Sequence, residues 1–211
     1  MDRKQLKTIL KKTWVFLWES NSVWSWIANI LLAFILIKFI VYPGLGLFLN
    51  TSHPIVAVVS GSMEHDGDFD KWWNSVALCE GRACSQKDFY NTYNISKEDF
   101  FSFSYKNGFN AGDIMVLRGF SAERLQVGDV LVFNNYRPDP IIHRAIKIWQ
   151  EDGEYYFQTK GDHNLESISS ITLNETKIPS SQLVGKAVLK IPYLGWIKIG
   201  FVKLLSFFRI I

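Results

Sequence analysis

The spacing of hydrophobic positions changes along this chain, and each spacing predicts a different kind of element. In residues 1–22, apolar side chains recur every three or four positions among basic ones, which predicts an amphipathic helix lying on a membrane face. Val23 to Tyr42 is a nearly continuous apolar run, and at ~1.5 Å per residue it is long enough to cross a hydrocarbon layer of ~30 Å. We therefore expect a transmembrane anchor over residues 23–49, with Pro43 ending or kinking its helix.

Basic residues set the expected orientation of this anchor. They crowd before the apolar run, and after Lys38 the next one is Lys71. The positive-inside tendency then leaves the N-terminus in the cytoplasm and everything after about Thr51 outside. A cleaved signal peptide is the alternative interpretation. We favour a retained anchor because the small residues typical of a cleavage site are not evident.

Beyond the anchor, short apolar runs separated by turn signals predict strands. Two of these runs open directly after the Gly-Asp pairs at 112–113 and 128–129, which are typical turn residues. The predicted strands are 55–59, 114–117, 130–133, 141–148, 155–160 and 184–191. This spacing predicts a mostly β chain, with a compact antiparallel β-fold built from residues 50–65 and 111–192.

Residues 66–110 interrupt this pattern with polar and aromatic side chains. We interpret them as an inserted lobe of short helices, whose role as a lid, a docking surface or a stabilising element stays open. Cys79 and Cys84 are the only cysteines of the chain. On a non-cytoplasmic side they could form a small-loop disulfide, with two free thiols as the alternative. No second pair is present to complete a zinc site.

The C-terminal segment, residues 193–211, is apolar but carries Lys198, Lys203 and Arg209. Charges inside a bilayer are unfavourable, so we expect an interfacial helix there, with a second span as the alternative. The net charge of +3 is too small to suggest a nucleic-acid partner, and no RNA-binding signature is evident.

A candidate nucleophile stands at the end of the first predicted strand, in the stretch Val58 to His65. Gly61 permits backbone angles that other residues resist, so Ser62 could point its hydroxyl out of the strand. A serine hydroxyl becomes reactive only with a base and with donors for the oxyanion. An ordinary strand-to-turn serine is the alternative at this point.

The chain has four candidate bases, and spacing alone does not choose among them. His143 lies in a predicted strand, which could hold its ring in one orientation. His65 is close to Ser62 in sequence, and the remaining histidines are His53 and His163. Triads are spatial constellations whose order along the chain varies between folds.

The order of six motifs along the chain distinguishes among these candidate bases. The motifs are VVSGSMEH, GDIMVL, GDVLVF, IIHRAIKI, TKGDHN and VGKAVLKIPYLGWIKI. Together they resemble the boxes of type I signal peptidases, in particular the archaeal and endoplasmic-reticulum branch, in which histidine replaces the bacterial lysine base. The resemblance implies that Ser62 is the nucleophile, that His143 is the general base and that Asp162 orients the base or shapes the site. The Ser62 amide and the Ser60 hydroxyl would form the oxyanion hole.

The sequence departs from the family pattern at two places. A further acid usually follows the aspartate by about six positions, where this chain has Ile168, and the nearest acid is Glu166. The third catalytic member therefore stays open between Asp162 and Glu166. The residue after Glu64, often proline in the family, is His65.

The implied function is that of a membrane-bound serine endopeptidase, signal peptidase I, acting without a metal or other cofactor. It would remove signal peptides from secretory preproteins at the outer face of the cell membrane, in contact with lipids and with the secretion translocon as a further partner. One alternative is a catalytically impaired homologue that serves as a membrane binding or scaffold protein. Another is a Ser–Lys protease that uses Lys147 as its base.

Overall fold

The computed structural model describes residues 2–136 and 139–207 of the chain. It divides into two compact units, Met1–Phe48 and Leu49–Ile211, and each is considered by itself.

The first unit consists of helices whose polar side chains serve the helix ends. α1 spans Arg3–Trp18 and α2 spans Val23–Leu36. Ser25 and Asn29 interrupt the apolar run, and they donate to carbonyl groups at the C-terminal end of α1, over 2.6 Å to Phe16 and 2.7 Å to Leu17. The last carbonyls of a helix lack intrahelical donors, so these polar residues satisfy groups that an apolar surrounding would leave unpaired.

The apolar helix does not end at Pro43. A π-helical turn, Ile37–Val41, joins α2 to α3, Tyr42–Leu49. Proline removes one backbone donor and its ring clashes with the carbonyl four residues earlier, and a π-turn accommodates such a defect. Val23–Leu49 is thus one helical run of 27 residues, and within the described part of the chain it is the single helix long and apolar enough to cross a membrane.

The second unit is built on an antiparallel sheet, which confirms the predicted fold class. The described residues form nine strands in chain order: β1 Ile55–Ala57, β2 Val76–Cys79, β3 Arg82–Ser85, β4 Ile114–Arg118, β5 Val130–Phe133, β6 Ile141–Glu151, β7 Glu154–Lys160, β8 Ile178–Pro179 and β9 Leu183–Ile191. Seven of them form one sheet in the order β1-β4-β9-β5-β6-β7-β8, while β2 and β3 form a separate hairpin. Each of the six predicted strands is observed; the two-residue β8 and the β2–β3 hairpin were not predicted.

Apolar side chains cover both faces of the central strand β5. Val130 and Val132 belong to one buried cluster, together with Met63 and Leu117. Leu131 and Phe133 belong to a second cluster on the opposite face. Because side chains alternate along a strand, a strand buried on both faces reads as a continuous apolar run, as this one does in the sequence.

Residues 66–110, here called the aromatic lobe, contain the β2–β3 hairpin and three short helices: α4 Phe69–Trp73, α5 Gln86–Thr92 and α6 Lys97–Ser102. Reciprocal capping boxes start α5 at Ser85 and α6 at Ser96, which satisfies their first backbone donors. The Cys79–Cys84 disulfide closes the hairpin, so the two cysteines are not free thiols.

The buried side chains of the aromatic lobe pack onto the main sheet through Ile146 of β6. They are Trp72, Trp73, Ala77, Phe89, Tyr90, Ile95 and Phe100. Aromatic side chains of this size bury large apolar areas, so the lobe has a core of its own that is continuous with the sheet.

A C-terminal helix, α7, spans Trp196–Phe207. Its twelve residues correspond to about 18 Å, and residues 208–211 of the predicted segment lie outside the described part of the chain. Whether this segment rests in the interface or crosses the membrane stays a prediction.

Leu117 tests the sheet core. It is fully buried, so Leu117→Ala removes apolar contacts and leaves a cavity, and we expect the free energy of unfolding to fall by about 2–5 kcal/mol. Leu189 of β9 is 55% exposed, and Leu189→Ala should change the free energy of unfolding by less than about 0.5 kcal/mol. Denaturant unfolding of the full chain in detergent measures both, and equal losses would contradict the assigned core.

Candidate active site

Ser62 lies in a tight turn that is held by a backbone hydrogen bond and by the buried side chain of Met63. The chain leaves β1 and turns between Gly61 and Glu64, where the Glu64 amide donates to the Gly61 carbonyl over 3.1 Å. The next side chain, Met63, is fully buried in the sheet core. With Met63 pointing inwards, the adjacent Ser62 side chain remains partly accessible. The burial of the Met63 side chain thus leaves the Ser62 hydroxyl accessible.

His143 is the histidine that meets this hydroxyl. Its Nε2 lies 2.9 Å from Ser62 Oγ, across 81 residues of sequence. The imidazole is buried, and His143 is paired with Leu131 of β5, while the pairing of β6 with β7 begins at the next residue, Arg144. A residue within a paired strand has a fixed backbone, so the ring has little freedom to leave the serine.

Glu175 holds the other side of the His143 ring. Glu175 Oε1 lies 2.5 Å from His143 Nδ1 and accepts the Thr159 hydroxyl over 2.8 Å. Glu175 Oε2 accepts the Ile168 amide over 2.9 Å. An ionised carboxylate only accepts hydrogen bonds, so the proton of a neutral His143 belongs on Nδ1. Nε2 is then free to accept the Ser62 proton, and the arrangement can activate an alcohol as a nucleophile.

Neither acid expected from the sequence makes this contact. Asp162 is buried but binds Arg144, and Glu166 is exposed. Glu175 lies thirteen residues after Asp162 instead of about six. Ile168, the residue at the six-place position, pairs with Glu175 in both directions, since its carbonyl accepts the Glu175 amide over 2.8 Å. Residues 169–174 therefore form a loop between Ile168 and Glu175. This loop brings the Glu175 carboxylate next to Ile168, the position where the family usually has an acid.

Asp162 is the centre of a second buried network. The Arg144 guanidinium donates to both of its oxygens, over 2.9 and 2.7 Å. Tyr90 donates to Oδ1 over 3.3 Å, and His65 Nε2 lies 3.1 Å from Oδ2. Burial by itself would raise the pKa of Asp162, but the charge and hydrogen bonds of Arg144, with the hydrogen bond of His65, outweigh it and hold that pKa well below its ordinary value.

Gly161 closes the site behind the two candidate catalytic groups. A side-chain carbon on Gly161 would lie 2.6 Å from the Ser62 carbonyl oxygen and 2.8 Å from His143 Nε2, closer than real contacts allow. The glycine of the TKGDHN motif is therefore required by close packing, because any side chain there would push Ser62 and His143 apart.

Ser60 is placed beside the candidate nucleophile, with its hydroxyl oxygen 3.2 Å from Ser62 Oγ. A hydroxyl at this distance can donate to a charge that develops near Ser62.

The other candidate bases lie elsewhere. The rings of His53 and His65 contact Ser52 and Asp162, and the His163 ring is 3.6 Å from Asp66. Lys147 is exposed and its ammonium lies over the Trp149 ring.

A cavity of about 310 Å³ opens at Ser62. It is lined by Ala57, Val58, Val59, Ile141 and Ile142, together with Ser62 and His143. Its lining is mostly apolar, as is usual for binding clefts.

Comparison with known proteins identifies relatives that carry one name. Signal peptidase complex catalytic subunit SEC11C of Homo sapiens and of Mus musculus is 32% identical over 99 residues, covering 46% of this chain and 52% of the relative. The SEC11 catalytic subunit of Scheffersomyces stipitis is 25% identical over 164 residues, covering 76% of this chain and 73% of that protein. No protein-family model matches the chain.

This chain is similar in sequence to proteins named signal peptidase complex catalytic subunits. The match spans about half the length of the mammalian relatives. The relatives' shared name agrees with the resemblance carried by the ordered motifs, and the antiparallel sheet with an N-terminal apolar helix fits the fold expected of a signal peptidase.

One further titratable group lies near the candidate site. Lys160 of β7 is buried, and its ammonium donates to the Gln86 side chain over 2.8 Å and to the Gly161 carbonyl over 3.1 Å. Burial, only partly offset by the charges of Asp162 and Glu175, lowers the pKa of Lys160 to about 7. The folded protein therefore releases this proton at a lower pH than the unfolded chain does.

Lys160 predicts a specific pH dependence of stability. Between about pH 7 and the ordinary lysine pKa of ~10.4, the unfolded chain binds a proton that the folded protein has released, so stability rises with pH. We expect Lys160→Met to remove most of this rise and the exposed-site control Lys147→Met to retain it. Unfolding free energies of the full chain at pH 7, 8.5 and 10 measure the effect, and parallel curves for all three proteins would contradict it.

Proposed function

We propose that this chain is a membrane-anchored serine endopeptidase that removes N-terminal signal peptides from secreted precursors. One observation carries the proposal, namely the line of hydrogen bonds from Ser62 Oγ through His143 to Glu175. Nucleophile, base and a carboxylate that orients the base are the three parts of a serine protease triad. The name shared by the relatives supports the substrate class.

Acylation begins when His143 Nε2 takes the Ser62 proton as the oxygen attacks the scissile carbonyl. Glu175 keeps the ring in the tautomer that leaves Nε2 unprotonated and stabilises the imidazolium that forms. The oxyanion of the tetrahedral intermediate accepts from the Ser62 amide and from the Ser60 hydroxyl, which lies 3.2 Å from Ser62 Oγ. One such donor contributes about 3 kcal/mol to the transition state.

The imidazolium then protonates the leaving amine, and the peptide bond breaks to give an acyl-enzyme on Ser62. Water enters, gives a proton to His143 Nε2 and attacks the ester carbonyl, and collapse of the second intermediate returns the proton to Ser62. No metal or other cofactor takes part in either half of this reaction.

The precursor binds as an extended strand in the apolar cleft at Ser62. β1 is an edge of the main sheet, and a peptide can add beside an exposed edge through its backbone, with pockets for alternate side chains. The small, mostly apolar cavity lined by residues 57–59 and 141–142 supports a preference for small residues before the cut.

The Val23–Leu49 helix serves as a membrane anchor in this proposal. A precursor is tethered to the same bilayer by its own apolar segment, so anchoring raises the effective concentration of one for the other. The N-terminus is cytoplasmic and the catalytic unit lies on the outer face of the cell membrane, next to lipids and the secretion translocon. The Cys79–Cys84 disulfide supports this side, because disulfides persist in oxidising compartments.

The alternative of a catalytically impaired scaffold drew support from the absence of a second aspartate near Asp162. Glu175 removes that support, because a carboxylate does reach His143 Nδ1. The Ser–Lys alternative has no geometric support, because Lys147 is exposed and lies over Trp149.

Cleavage of a precursor is the direct test. Purified protein in detergent should cut a secretory precursor that has Ala at the third and first positions before the cut, and Ser62→Ala should abolish this cleavage while the precursor still binds. Cleavage products identified by mass spectrometry provide the measurement. Full activity of Ser62→Ala, or binding without turnover by the unmodified protein, would overturn the proposal.

Glu175 and Glu166 form a matched pair for testing the third member. Glu175→Gln keeps the shape of the side chain but no longer fixes the tautomer, and we expect kcat to fall about 10³–10⁴-fold. Glu166→Gln changes an exposed carboxylate and should leave kcat within about twofold of the unmodified value. Steady-state cleavage rates measure both, and the reverse ranking would assign the role to Glu166.

A further inference from the structure

The aromatic lobe reaches the loop that closes the site, residues 161–165, at three separate places. The Trp72 indole N–H donates to the Asp162 carbonyl over 3.0 Å. The Gln86 side chain donates to the Asn164 carbonyl over 3.2 Å, and the Leu78 amide to the Leu165 carbonyl over 3.0 Å. The lobe therefore supplies donors to three carbonyls along this loop, of which that of Asp162 also accepts from Lys160.

His65 joins this lobe to the nucleophile turn. Its ring stacks on Trp72 with centroids 3.7 Å apart and planes 5° apart, and its Nε2 lies 3.1 Å from Asp162 Oδ2. The His65 side chain is only 2% exposed. Where the family often has proline, this chain has a side chain with a ring N–H for Asp162, and Trp72 holds that ring in place.

The backbone on the other side of the turn is fixed by the end of the aromatic lobe. The Phe109 amide donates to the Met63 carbonyl over 3.0 Å. A side-chain carbon on Gly108 would meet that same carbonyl and the His65 ring, so the two segments are in close contact. The turn that carries Ser62 is thus held between the lobe and the sheet.

Two short paths run from Asp162 to the reacting groups. In the first, the next residue, His163, donates its amide to the Ser62 carbonyl over 2.9 Å. In the second, Arg144 binds both oxygens of Asp162 and is the neighbour of His143 on β6. A displacement of Asp162 would therefore be felt at the nucleophile and at the base.

We propose that His65 and Trp72 are positioning residues, through which the aromatic lobe sets the geometry of Ser62 and His143. This inference rests on the proposed function and assigns the lobe a role in catalysis through Asp162. The charged and titratable groups that face His65 are Asp162 and, bound to Asp162, Arg144 and Tyr90. Neither His65 nor Trp72 contacts the reacting atoms, so both act on kcat through the position of other residues.

Trp72 and Trp73 provide a matched pair for the first test. Both indoles are buried in the aromatic cluster, but Trp73 stacks on Phe69 and Tyr90 instead of on His65. Trp72→Phe removes the donor to Asp162 and should lower kcat at least about tenfold with KM within about twofold, since small displacements of catalytic groups have large effects on rate. Trp73→Phe removes the same volume and should retain kcat within about twofold.

Replacement of His65 tests the hydrogen bond itself. His65→Gln keeps an N–H that can reach Asp162 and should retain most of kcat. His65→Leu has no donor, and its kcat should fall at least about tenfold below that of His65→Gln. Melting temperatures of all four variants, measured on the full chain in detergent, show whether any rate loss merely follows lost stability.

The outcomes separate this inference from the function it rests on. Lower kcat for Trp72→Phe and His65→Leu than for their partners, at similar melting temperatures, supports the positioning role. Equal kcat within each pair, or rate losses that track melting temperature alone, would overturn it while the proposed function stands. An unmodified protein that cleaves no precursor would overturn the proposed function, and this inference with it.

Discussion

A buried carboxylate facing a buried imidazole is the constraint on which the candidate site depends. Glu175 has no access to solvent, so its charge must be satisfied within the protein. Thr159, Ile168 and His143 provide the hydrogen bonds. Thr159 belongs to β7 and Ile168 to the loop after it, so the sheet and this loop orient the carboxylate before any substrate binds. Preorganisation of this kind lowers the barrier for charge development.

The site contains two buried carboxylates, Asp162 and Glu175. Their environments differ, and we infer a different role for each. Asp162 is neutralised by the bidentate Arg144 guanidinium, and its pKa is held well below the ordinary range, so it remains an ionised structural anchor. Glu175 meets a histidine that faces Ser62. Asp162 is bound by Tyr90 of the aromatic lobe and by Arg144 of β6, whereas Glu175 is bound by Thr159 of β7 and His143 of β6.

Local patterns were sufficient to predict six strands of the main sheet but not the carboxylate that contacts His143. The Gly-Asp pairs at 112–113 and 128–129 mark turns whose chemistry is local, and β4 and β5 begin directly after them. Ser62 and His143 could be named because motifs surround both. Glu175 lacks such a motif, since residues 169–174 separate it from Ile168 and only the fold brings it to the ring. The contacts of the aromatic lobe with the 161–165 loop could not be predicted either, because aromatic composition indicates a core but not what that core packs against.

The tautomer of His143 shows whether Glu175 orients the imidazole towards Ser62. Nitrogen-15 NMR of the full chain labelled at histidine, compared with a His143→Gln variant to assign the signals, reports which ring nitrogen carries the proton. We expect neutral His143 to be protonated at Nδ1, towards Glu175, with Nε2 unprotonated and facing Ser62. A proton on Nε2, or a mixture of tautomers that Glu175→Gln does not change, would contradict it.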